Sequence, residues 1–487
     1  MNNVDLVVIG GGINGAGIAR DAAGRGLSVI LCEKGDLGEG TSSRSGKLIH
    51  GGLRYLEYYE FRLVREALIE REVLLRAAPH IVWPLRFVLP HSPEQRPAWL
   101  VRLGLFLYDH LGGRVKLPGC RRINLAHEPE GLAIKDNFKL AFEYSDCWVD
   151  DSRLVVLNAL DAKERGATIL THTEAISARR VDGAWEVELR SEGGAAPTVR
   201  AAALVNAAGP WVENVINAVA GSNSPRRVRL VKGSHVIVRK FWDGPHAYLL
   251  QNHDGRVIFV NPYQGDLCLI GTTDIAYNGR AEDVKIDDDE IHYLLAAVNR
   301  YTKQQLAPTD IIASFAGVRP LYDDNAANPS AVTRDYVFDV EGAPPLLSVF
   351  GGKLTTYRKL AEHALLKLKP FFPAMKDPWT AAATLPGGDM PEADFEKFLA
   401  GLQRAYPRLP GNVVLHYARL YGTRAPRIMG DLGEHFGGTL YRAEIDYLCQ
   451  AEWAKTAADI LDRRTKHGLR LTAPQRARVA AYLNTST

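Results

Sequence analysis

The segment 46–55 (GKLIHGGLRY) combines hydrogen-bond donors with glycines in a way that indicates ligand binding. Its cationic, titratable, aromatic and glycine residues are Lys47, His50, Arg54, Tyr55, Gly46, Gly51 and Gly52. A helix interior would not tolerate the glycine pair, because glycine loses more backbone freedom than other residues when it is fixed. The pattern predicts a loop whose backbone comes close to a ligand rich in hydrogen-bond acceptors.

A second glycine-rich stretch lies near the start of the chain. Gly10, Gly12 and Gly15 follow the apolar run VDLVVIG and precede an alanine-rich helical segment. In a dinucleotide fingerprint the first glycine permits the turn, the second admits the pyrophosphate and the third allows close helix–strand packing. Glu33 ends the next strand about twenty residues later, where it can bind ribose hydroxyls. The spacing predicts a βαβ unit that binds a dinucleotide.

Two later glycine turns favour FAD over NAD. The segments NAAGPW (206–211) and FGGKLTTYR (350–358) each follow an apolar run far from the first turn. Several stretches would thus return to one extended ligand. Lys353 would lie at a helix start, whose positive end can stabilise an anionic reduced flavin.

Composition limits the class of protein. A chain of 487 residues with 46% hydrophobic and 24% charged residues is typical of a globular protein of two or three domains. The five cysteines form no C-x-x-C pair, which favours a reducing compartment. The histidines show no ligand spacing, so we expect no metal site. The basic residues lack aromatic interleaving, so we expect no nucleic-acid partner.

The order of elements predicts an α/β protein with three parts. The segments GSHVIVRKF, GRVIFVNPY and DLCLIGTTD have the pattern of antiparallel strands. We expect residues 1–377 to interleave a nucleotide-binding domain (about 1–75, 147–225 and 310–377) with a substrate-binding domain. Prolines punctuate helical segments beyond that point, which predicts a helical domain over 378–487.

Two segments bear on membrane contact. No apolar run reaches the roughly 18–20 residues needed to span a bilayer. Residues 98–111 (AWLVRLGLFLYDHL) predict a core or interfacial helix. Residues 451–487 hold seven Lys/Arg against three acids, a local excess of +4. That excess indicates either a solvated helical face or contact with anionic lipid or a partner.

Long motifs of the chain resemble one family in order. GGGINGAGIARDAAGRGLSV, KLIHGGLRYLEYYEFRLVREAL, KGSHVIV, IGTTD, GVRPL and LSVFGGKLTTYRKLAEHAL are similar to the flavin-dependent, respiratory glycerol-3-phosphate dehydrogenases. The resemblance implies an FAD-binding Rossmann-like fold of the glutathione-reductase and D-amino-acid-oxidase type with a helical C-terminal domain. It also implies oxidation of glycerol 3-phosphate to dihydroxyacetone phosphate, with electrons passed to a quinone.

The same resemblance implies a peripheral enzyme on the cytoplasmic face of the inner membrane. The oligomeric state stays open, with a homodimer as one alternative. The chain departs from the family at Arg44 and Gly46, where small residues, often serine, are usual. A longer insertion associated with the soluble oxidases is not evident, which favours a dehydrogenase.

The matched motifs imply substrate-binding residues. Arg54 and Arg319 match positions that hold the phosphate, which arginine can bind through two parallel hydrogen bonds. Tyr55 would close the pocket wall. Thr273 and Asp274 would contact the substrate or orient the base.

Oxidation of the C2 alcohol requires a base for the hydroxyl proton. The resemblance makes His235 the first candidate, with His50 and Arg319 as alternatives. Lys353 would stabilise the developing alkoxide or the flavin. The motifs imply cofactor contacts at Gly10, Gly12, Gly15, Glu33, Thr41, Ser42, Lys47, Leu48, His50, Gly51, Gly52, Ala207, Gly209, Gly352, Lys353, Leu354 and Thr355.

Two other functions remain open. An FAD-dependent oxidase of a small amine or hydroxy acid, returning electrons to oxygen, would also use arginines, for a carboxylate. A non-catalytic flavin-binding protein is disfavoured, because it would not need a base beside a phosphate-binding pair.

Overall fold

A computed structural model describes residues 2–113, 116–191, 194–195, 198–323 and 335–486. The strands are β1 Asn2–Ile9, β2 Val29–Cys32, β3 Leu48–Ile49, β4 Val82–His91, β5 Arg121–Asn124, β6 Leu140–Val149, β7 Thr168–Leu170, β8 Thr173–Val181, β9 Ala184–Ser191, β10 Gly194–Ala195, β11 Val199–Asn206, β12 Val228–Arg239, β13 Ala247–Gln251, β14 Val257–Tyr263, β15 Leu267–Gly271, β16 Ile275–Ala276, β17 Ala313–Tyr322, β18 Val337–Glu341, β19 Leu346–Phe350, β20 His435–Gly437 and β21 Leu440–Tyr441. The α-helices are α1 Ile13–Gly24, α2 Phe61–Ala77, α3 Ala98–Leu111, α4 Asp151–Glu164, α5 Val212–Asn214, α6 Asp288–Tyr301, α7 Tyr357–Leu368, α8 Phe395–Ala405, α9 Gly411–Tyr421, α10 Arg442–Glu452 and α11 Ala473–Ser486.

The first sheet has a parallel centre. Its strands run in the order β7-β2-β1-β11-β19, and β8, β9, β10 and β18 extend it by antiparallel pairing. Helices α1, α4 and α7 pack together beside it. Because α1 presents buried alanines such as Ala16, Ala19 and Ala22, the helix can approach its neighbours closely. The predicted βαβ unit is confirmed by the parallel pairing of β1 with β2.

The second sheet supplies the other wall of the site. Its order is β16-β12-β15-β14-β13-β4-β6-β3, with β17 beside β12 and β5 beside β6. Strands β12 to β15 pair antiparallel, as their alternating sequences predict. The expected domain limits need correction, because β3 and β17 fall within the predicted nucleotide parts but pair in this sheet. Both strands lie on the cavity side, where the two domains meet, so chain position alone did not assign them.

Helices α8 to α11 form a separate cluster with its own core. This cluster contacts the first domain through the segment 459–467 and also through ion pairs of Glu452 with Arg153 and of Arg424 with Glu164. Arg464 and Lys466 in that segment are buried, and they pair with Asp36 and Asp150 of the first domain. The +4 excess of this region is therefore not a free lipid-binding face, because much of it is consumed by internal ion pairs.

Helix α3 is amphipathic, as an interfacial helix would be. Leu105 and Tyr108 are buried against the second sheet and α2. Trp99, Leu103 and Phe106 lie on the opposite face and are 69%, 47% and 53% exposed. Across the described residues, every helix is too short or too polar to cross a membrane.

Candidate active site

The turn between β1 and α1 shows the packing that its glycine spacing predicts. Gly10 has φ +110°, and a Cβ there would lie 2.6 Å from the carbonyl oxygen of Ala207. A Cβ on Gly15 would lie 1.9 Å from the carbonyl oxygen of Gly10, so only glycine lets α1 pack this closely. A Cβ on Gly12 would meet just one described atom, Oγ of Ser42, at 3.2 Å. The space over Gly12 thus lies at the helix start, where anions bind.

Glu33 directly follows β2 beside this turn. Its carboxylate accepts hydrogen bonds from the backbone N–H of Gly11 at 2.7 Å and of Gly35 at 2.9 Å. Burial raises the pKa of Glu33, against these two bonds, which favour the charged form. Oγ of Ser42 accepts from the N–H of Ile13 at 3.0 Å and holds the following loop against α1. The carboxylate and the helix start therefore share one end of the site.

A cavity of about 780 Å³ runs from this end to the second sheet. Fifteen of the residues predicted to bind cofactor or substrate line it. They are Gly10, Gly12, Glu33, Thr41, Ser42, Leu48, His50, Tyr55, Ala207, Gly209, Arg319, Gly352, Lys353, Leu354 and Thr355. Its size and its extension across two domains suit an elongated ligand.

The residues present fit FAD. A carboxylate at the end of β2 is placed for ribose hydroxyls, and the open space over Gly12 at the start of α1 is placed for a pyrophosphate. Leu48, His50 and the 350–355 turn also line the cavity. This turn reaches from α1, where the carbonyl oxygen of Gly351 accepts from Nδ2 of Asn14 at 3.3 Å, to His50, whose N–H donates to Oγ1 of Thr355 at 3.2 Å. Lys353 precedes a 3₁₀ turn, Leu354–Thr356, that leads into α7.

Two cations form one wall at the second-sheet end. Arg319 on β17 donates through Nη1 to Oδ1 of Asp274 at 2.9 Å. A Cβ on Gly233 would lie 2.5 Å from Nη2 of Arg319, so this glycine lets the guanidinium cross the backbone of β12. Nζ of Lys353 lies 4.0 Å from the ring centroid of Tyr55. The wall can therefore hold an anionic group of the substrate.

The positive charges of this wall affect the pKa of His50. It packs edge-on against Phe259, with ring centroids 6.1 Å apart. Burial, followed by the nearby charges of Lys353, Arg319 and Arg71, lowers the pKa of His50 to about 4. The imidazole is neutral at physiological pH, and the electrostatic potential around it favours anions.

His235 lies behind the cavity wall on β12. Its ring stacks on Phe315 with centroids 4.8 Å apart, and a Cβ built on Gly46 would lie 3.6 Å from its Nε2. Burial, followed by Arg319 and Lys47, lowers the pKa of His235 to about 3. His235 is buried and outside the cavity lining, with its Nε2 behind Gly46, which does line the cavity. A neutral imidazole is the form that can accept a proton.

The glycine pair of the 46–55 segment packs against protein. The N–H of Gly51 donates to the hydroxyl of Tyr108 at 2.7 Å, and a Cβ there would lie 2.5 Å from Leu68. Gly52 has φ +78°, and its Cβ would lie 2.2 Å from the ring of Tyr55. Neither glycine lines the cavity. Protein side chains occupy the space that a side chain at Gly51 or Gly52 would take, whereas Gly46, the third glycine of the predicted loop, lines the cavity. The predicted cofactor contacts at Gly51 and Gly52 stay a prediction.

Three further predicted residues have other partners. Nζ of Lys47 lies 2.8 Å from Oδ1 of Asp151, so its amine is not directed into the cavity. Thr273 is buried, and its hydroxyl donates to Glu290 at 2.8 Å, tying β15 and β12 to α6. Asp274 pairs with the arginine of the cavity wall instead of orienting a histidine. The partners of Lys47 and Asp274 lie 104 and 45 residues away in the chain, whereas Glu290 lies 17 residues from Thr273.

Arg54 lies in a 3₁₀ helix, Leu53–Tyr58, next to Tyr55. It is half-buried and outside the cavity lining. Within the described part of the chain it makes no ion pair. Its role in phosphate binding stays a proposal.

Sequence reasoning missed the group that anchors the 50–52 turn. Asp146 accepts from the hydroxyl of Tyr108 and from Nη1 of Arg71, both at 2.8 Å. This buried triad holds the turn that carries His50. The available signal was the aspartate of EYSDCW (143–148), since an ionisable residue in a strand flanked by apolar residues is a candidate for a functional or structural network. Gly46, which the sequence predicted to lie close to a ligand, lines the cavity, and so do Arg44, Trp211 and Phe259, which were not predicted as contacts.

A metal-like cluster lies away from the cavity. Ligand atoms of His416, Glu444 and His467 lie within 4.8 Å of one another in the helical domain. Nε2 of His416 and Oε1 of Glu444 are 2.7 Å apart, and the hydroxyl of Tyr421 donates to the same oxygen. No spacing in the sequence indicated this group, because its members come from three separate elements.

Comparison with known proteins gives the family. The sequence model described as FAD dependent oxidoreductase matches residues 5–358. The model described as the C-terminal domain of alpha-glycerophosphate oxidase matches residues 379–482, which agrees with the predicted helical domain.

Relatives match over nearly the whole chain. D-erythritol 1-phosphate dehydrogenase of Brucella abortus is 64% identical, over 97% of this chain and 96% of its own. Glycerol-3-phosphate dehydrogenase of Pseudomonas aeruginosa is 56% identical, over 98% and 94%. The structure of glycerol-3-phosphate dehydrogenase from Bacillus halodurans complexed with FAD is 27% identical with a TM-score of 0.76, covering 99% of this chain and 94% of that one.

Proposed function

Because the chain belongs to the FAD dependent oxidoreductases with an alpha-glycerophosphate-oxidase-type C-terminal domain, we propose that it oxidises a short polyol phosphate. Glycerol 3-phosphate is the substrate that we assign first, with dihydroxyacetone phosphate as product. Relatives at 56% identity that bear this activity in their name support the assignment.

One observation carries the proposal. A single cavity has a carboxylate and a glycine-rich helix start at one end and two cations beside a neutral histidine at the other. The first end suits a dinucleotide cofactor. The second suits a substrate that carries a phosphate and an oxidisable alcohol.

The proposed roles follow from this arrangement. Arg319 and Arg54 bind the phosphate, and Tyr55 closes the wall beside it. Lys353 stabilises negative charge on the alcohol oxygen as its proton leaves. Nε2 of His235 accepts that proton. Bound FAD supplies the two-electron acceptor for the C–H bond that is broken.

We also propose that the electrons pass to a membrane quinone and that the enzyme is peripheral, on the cytoplasmic face. The support is the exposed apolar face of α3, with Trp99, Leu103 and Phe106, next to the 3₁₀ helix that carries Tyr55. Exposed aromatic and aliphatic side chains on one helical face are typical of interfacial binding. Tyr55 of that 3₁₀ helix lines the cavity, so a membrane bound to α3 would bring its electron acceptor to this side of the site.

Anaerobic mixing of the purified yellow protein with glycerol 3-phosphate tests the reaction. We expect loss of the flavin absorbance, then its recovery on addition of a soluble ubiquinone analogue. Bleaching by a small amine or hydroxy acid instead, with recovery by oxygen alone, would establish the oxidase alternative.

D-erythritol 1-phosphate is a second candidate substrate. The relative named for it is 64% identical to this chain, against 56% for the Pseudomonas aeruginosa glycerol-3-phosphate dehydrogenase. D-erythritol 1-phosphate has one hydroxylated carbon more than glycerol 3-phosphate. The ratio of kcat/KM for the two phosphates decides between them.

A further inference from the structure

Glycines cluster around the substrate end of the cavity, and most of them make room for protein. A Cβ would lie within 3 Å of a protein side chain at Gly51, Gly233, Gly271 and Gly317. The atoms met there belong to Leu68, Arg319, His235 and Arg44. At these four positions glycine is explained by packing alone.

Gly46 has no such explanation. Its φ lies outside the left-handed region, so the backbone does not require glycine. Among the described residues, a Cβ there would approach a single atom, Nε2 of His235, at an ordinary contact distance of 3.6 Å. Gly46 lines the cavity, and Nδ2 of Asn261 fixes it by donating to its carbonyl oxygen at 3.2 Å. The missing side chain therefore leaves space for a ligand.

The position of that space identifies which ligand. It lies directly before Nε2 of His235, the nitrogen that takes the alcohol proton in the proposed function. A ligand atom in this place belongs to the carbon chain of the substrate. The added Cβ of an alanine is about the size of one carbon of that chain.

We propose that Gly46 sets the length of the polyol phosphate by leaving room beside His235 for one more hydroxylated carbon than glycerol 3-phosphate has. This inference rests on the proposed function. The substrate class is a four-carbon polyol monophosphate, accepted together with the three-carbon one. Gly46 acts by steric room, so a single methyl group at this position is enough to change the preference.

Steady-state and anaerobic rapid-mixing kinetics of wild type and Gly46→Ala, with D-erythritol 1-phosphate and glycerol 3-phosphate, test the proposal. We expect both compounds to reduce the wild-type flavin. In Gly46→Ala we expect kcat/KM for the four-carbon compound, relative to the three-carbon one, to fall by roughly tenfold or more, since one carbon's worth of space has this effect in a pocket. FAD content and Tm should match wild type, because the added Cβ meets no protein atom closer than 3.6 Å.

Gly411→Ala is the matched control. Gly411 is exposed at the start of α9, and a Cβ there would meet nothing within 4 Å among the described residues. In Gly411→Ala, the ratio of kcat/KM for the four-carbon compound to kcat/KM for the three-carbon compound should equal the wild-type ratio. The inference would be overturned if this ratio were unchanged in Gly46→Ala or if Gly46→Ala lost FAD. It would also be overturned if the wild-type enzyme oxidised only the three-carbon compound. Reduction by neither compound would instead overturn the proposed function, and the inference with it.

Discussion

Nζ of Lys466 lies 2.6 Å from Oδ2 of Asp150, so a lysine of the helical domain is buried at the start of α4. The next residue, Asp151, binds Lys47 and accepts from the hydroxyl of Ser45 at 2.7 Å. The helical domain therefore supports the loop that leads to His50 without contacting the cavity.

Lys466→Met should weaken FAD binding as well as stability. Loss of one partner from a buried ion pair leaves an uncompensated charge and costs about 3–5 kcal/mol. We expect a lower Tm and a raised dissociation constant when apoprotein is titrated with FAD. Arg478→Met removes an exposed ion pair with Glu434 and should change the Tm and the FAD dissociation constant only slightly. Equal effects of the two substitutions would contradict the coupling.

Substitutions at Gly12 and Gly15 should have different effects, the first on FAD binding and the second on folding. Gly12→Val places a side chain in the open space at the start of α1, so we expect folded, colourless protein. Gly15→Ala places a Cβ 1.9 Å from a backbone oxygen and should reduce soluble, folded protein. Flavin absorbance and circular dichroism separate the two outcomes. Gly12→Val with stoichiometric FAD would show that the cofactor binds elsewhere.

Local patterns predicted the parts of the fold that depend on neighbours in sequence. The βαβ unit, the glycine fingerprint and the antiparallel run β12–β15 each follow from spacing within a few dozen residues. The roles of Gly51 and Lys47 did not, because their partners Tyr108 and Asp151 lie 57 and 104 residues away in the chain. The sequence left open whether the basic C-terminal region is solvated or contacts lipid or a partner, because Asp36 and Asp150, which pair with Arg464 and Lys466, lie far away in the chain.

The cation wall should determine preference for a phosphate. Arg319→Ala and Arg54→Ala should each keep FAD but lower kcat/KM for glycerol 3-phosphate by roughly a hundredfold. Part of the loss should appear in kcat, because phosphate binding orients the distant carbon. Both variants should also lose discrimination against unphosphorylated glycerol.

Arg62→Ala serves as the control for the two arginine variants. Arg62 is exposed and pairs with Asp335 outside the cavity lining, so its removal should leave the kinetics near wild type. If Arg54→Ala matched this control while Arg319→Ala did not, Arg54 would be a structural residue of the 3₁₀ helix.

Burial of His80 should make the free energy of unfolding depend on pH. It is fully buried, and among the described residues neither ring nitrogen has a hydrogen-bond partner. Burial, followed by Arg153, Arg419 and Arg424, lowers the pKa of His80 to about 3. The unfolded histidine titrates near 6.5, so between about pH 6.5 and pH 3 only the unfolded state binds the proton. Stability should fall as pH drops through that window, by up to about 1.4 kcal/mol per unit for this residue.

His80→Leu should remove that contribution. We expect the decrease in Tm between pH 7.5 and pH 5.5 to be smaller for His80→Leu than for wild type. His253 is exposed, and His253→Leu should keep the wild-type decrease. A pH dependence that is identical in all three proteins would mean that His80 takes up a proton in the folded state.

The exposed face of α3 should mediate membrane binding. Trp99→Ser, Leu103→Ser and Phe106→Ser combined remove the apolar face while leaving the buried Leu105 and Tyr108 in place, so the helix should keep its packing. Binding to liposomes made from bacterial lipids, measured by co-sedimentation, should fall by at least about tenfold, because each buried apolar side chain contributes about 1.5–3 kcal/mol and about 1.4 kcal/mol is a factor of ten. The rate of flavin reduction by glycerol 3-phosphate should not change, whereas electron transfer to a quinone embedded in the liposomes should slow.

Leu366→Ser removes an equally exposed apolar side chain, 65% exposed on α7, and should leave co-sedimentation intact. Equal loss with Leu366→Ser, or full binding by the triple variant, would place the membrane contact on another surface.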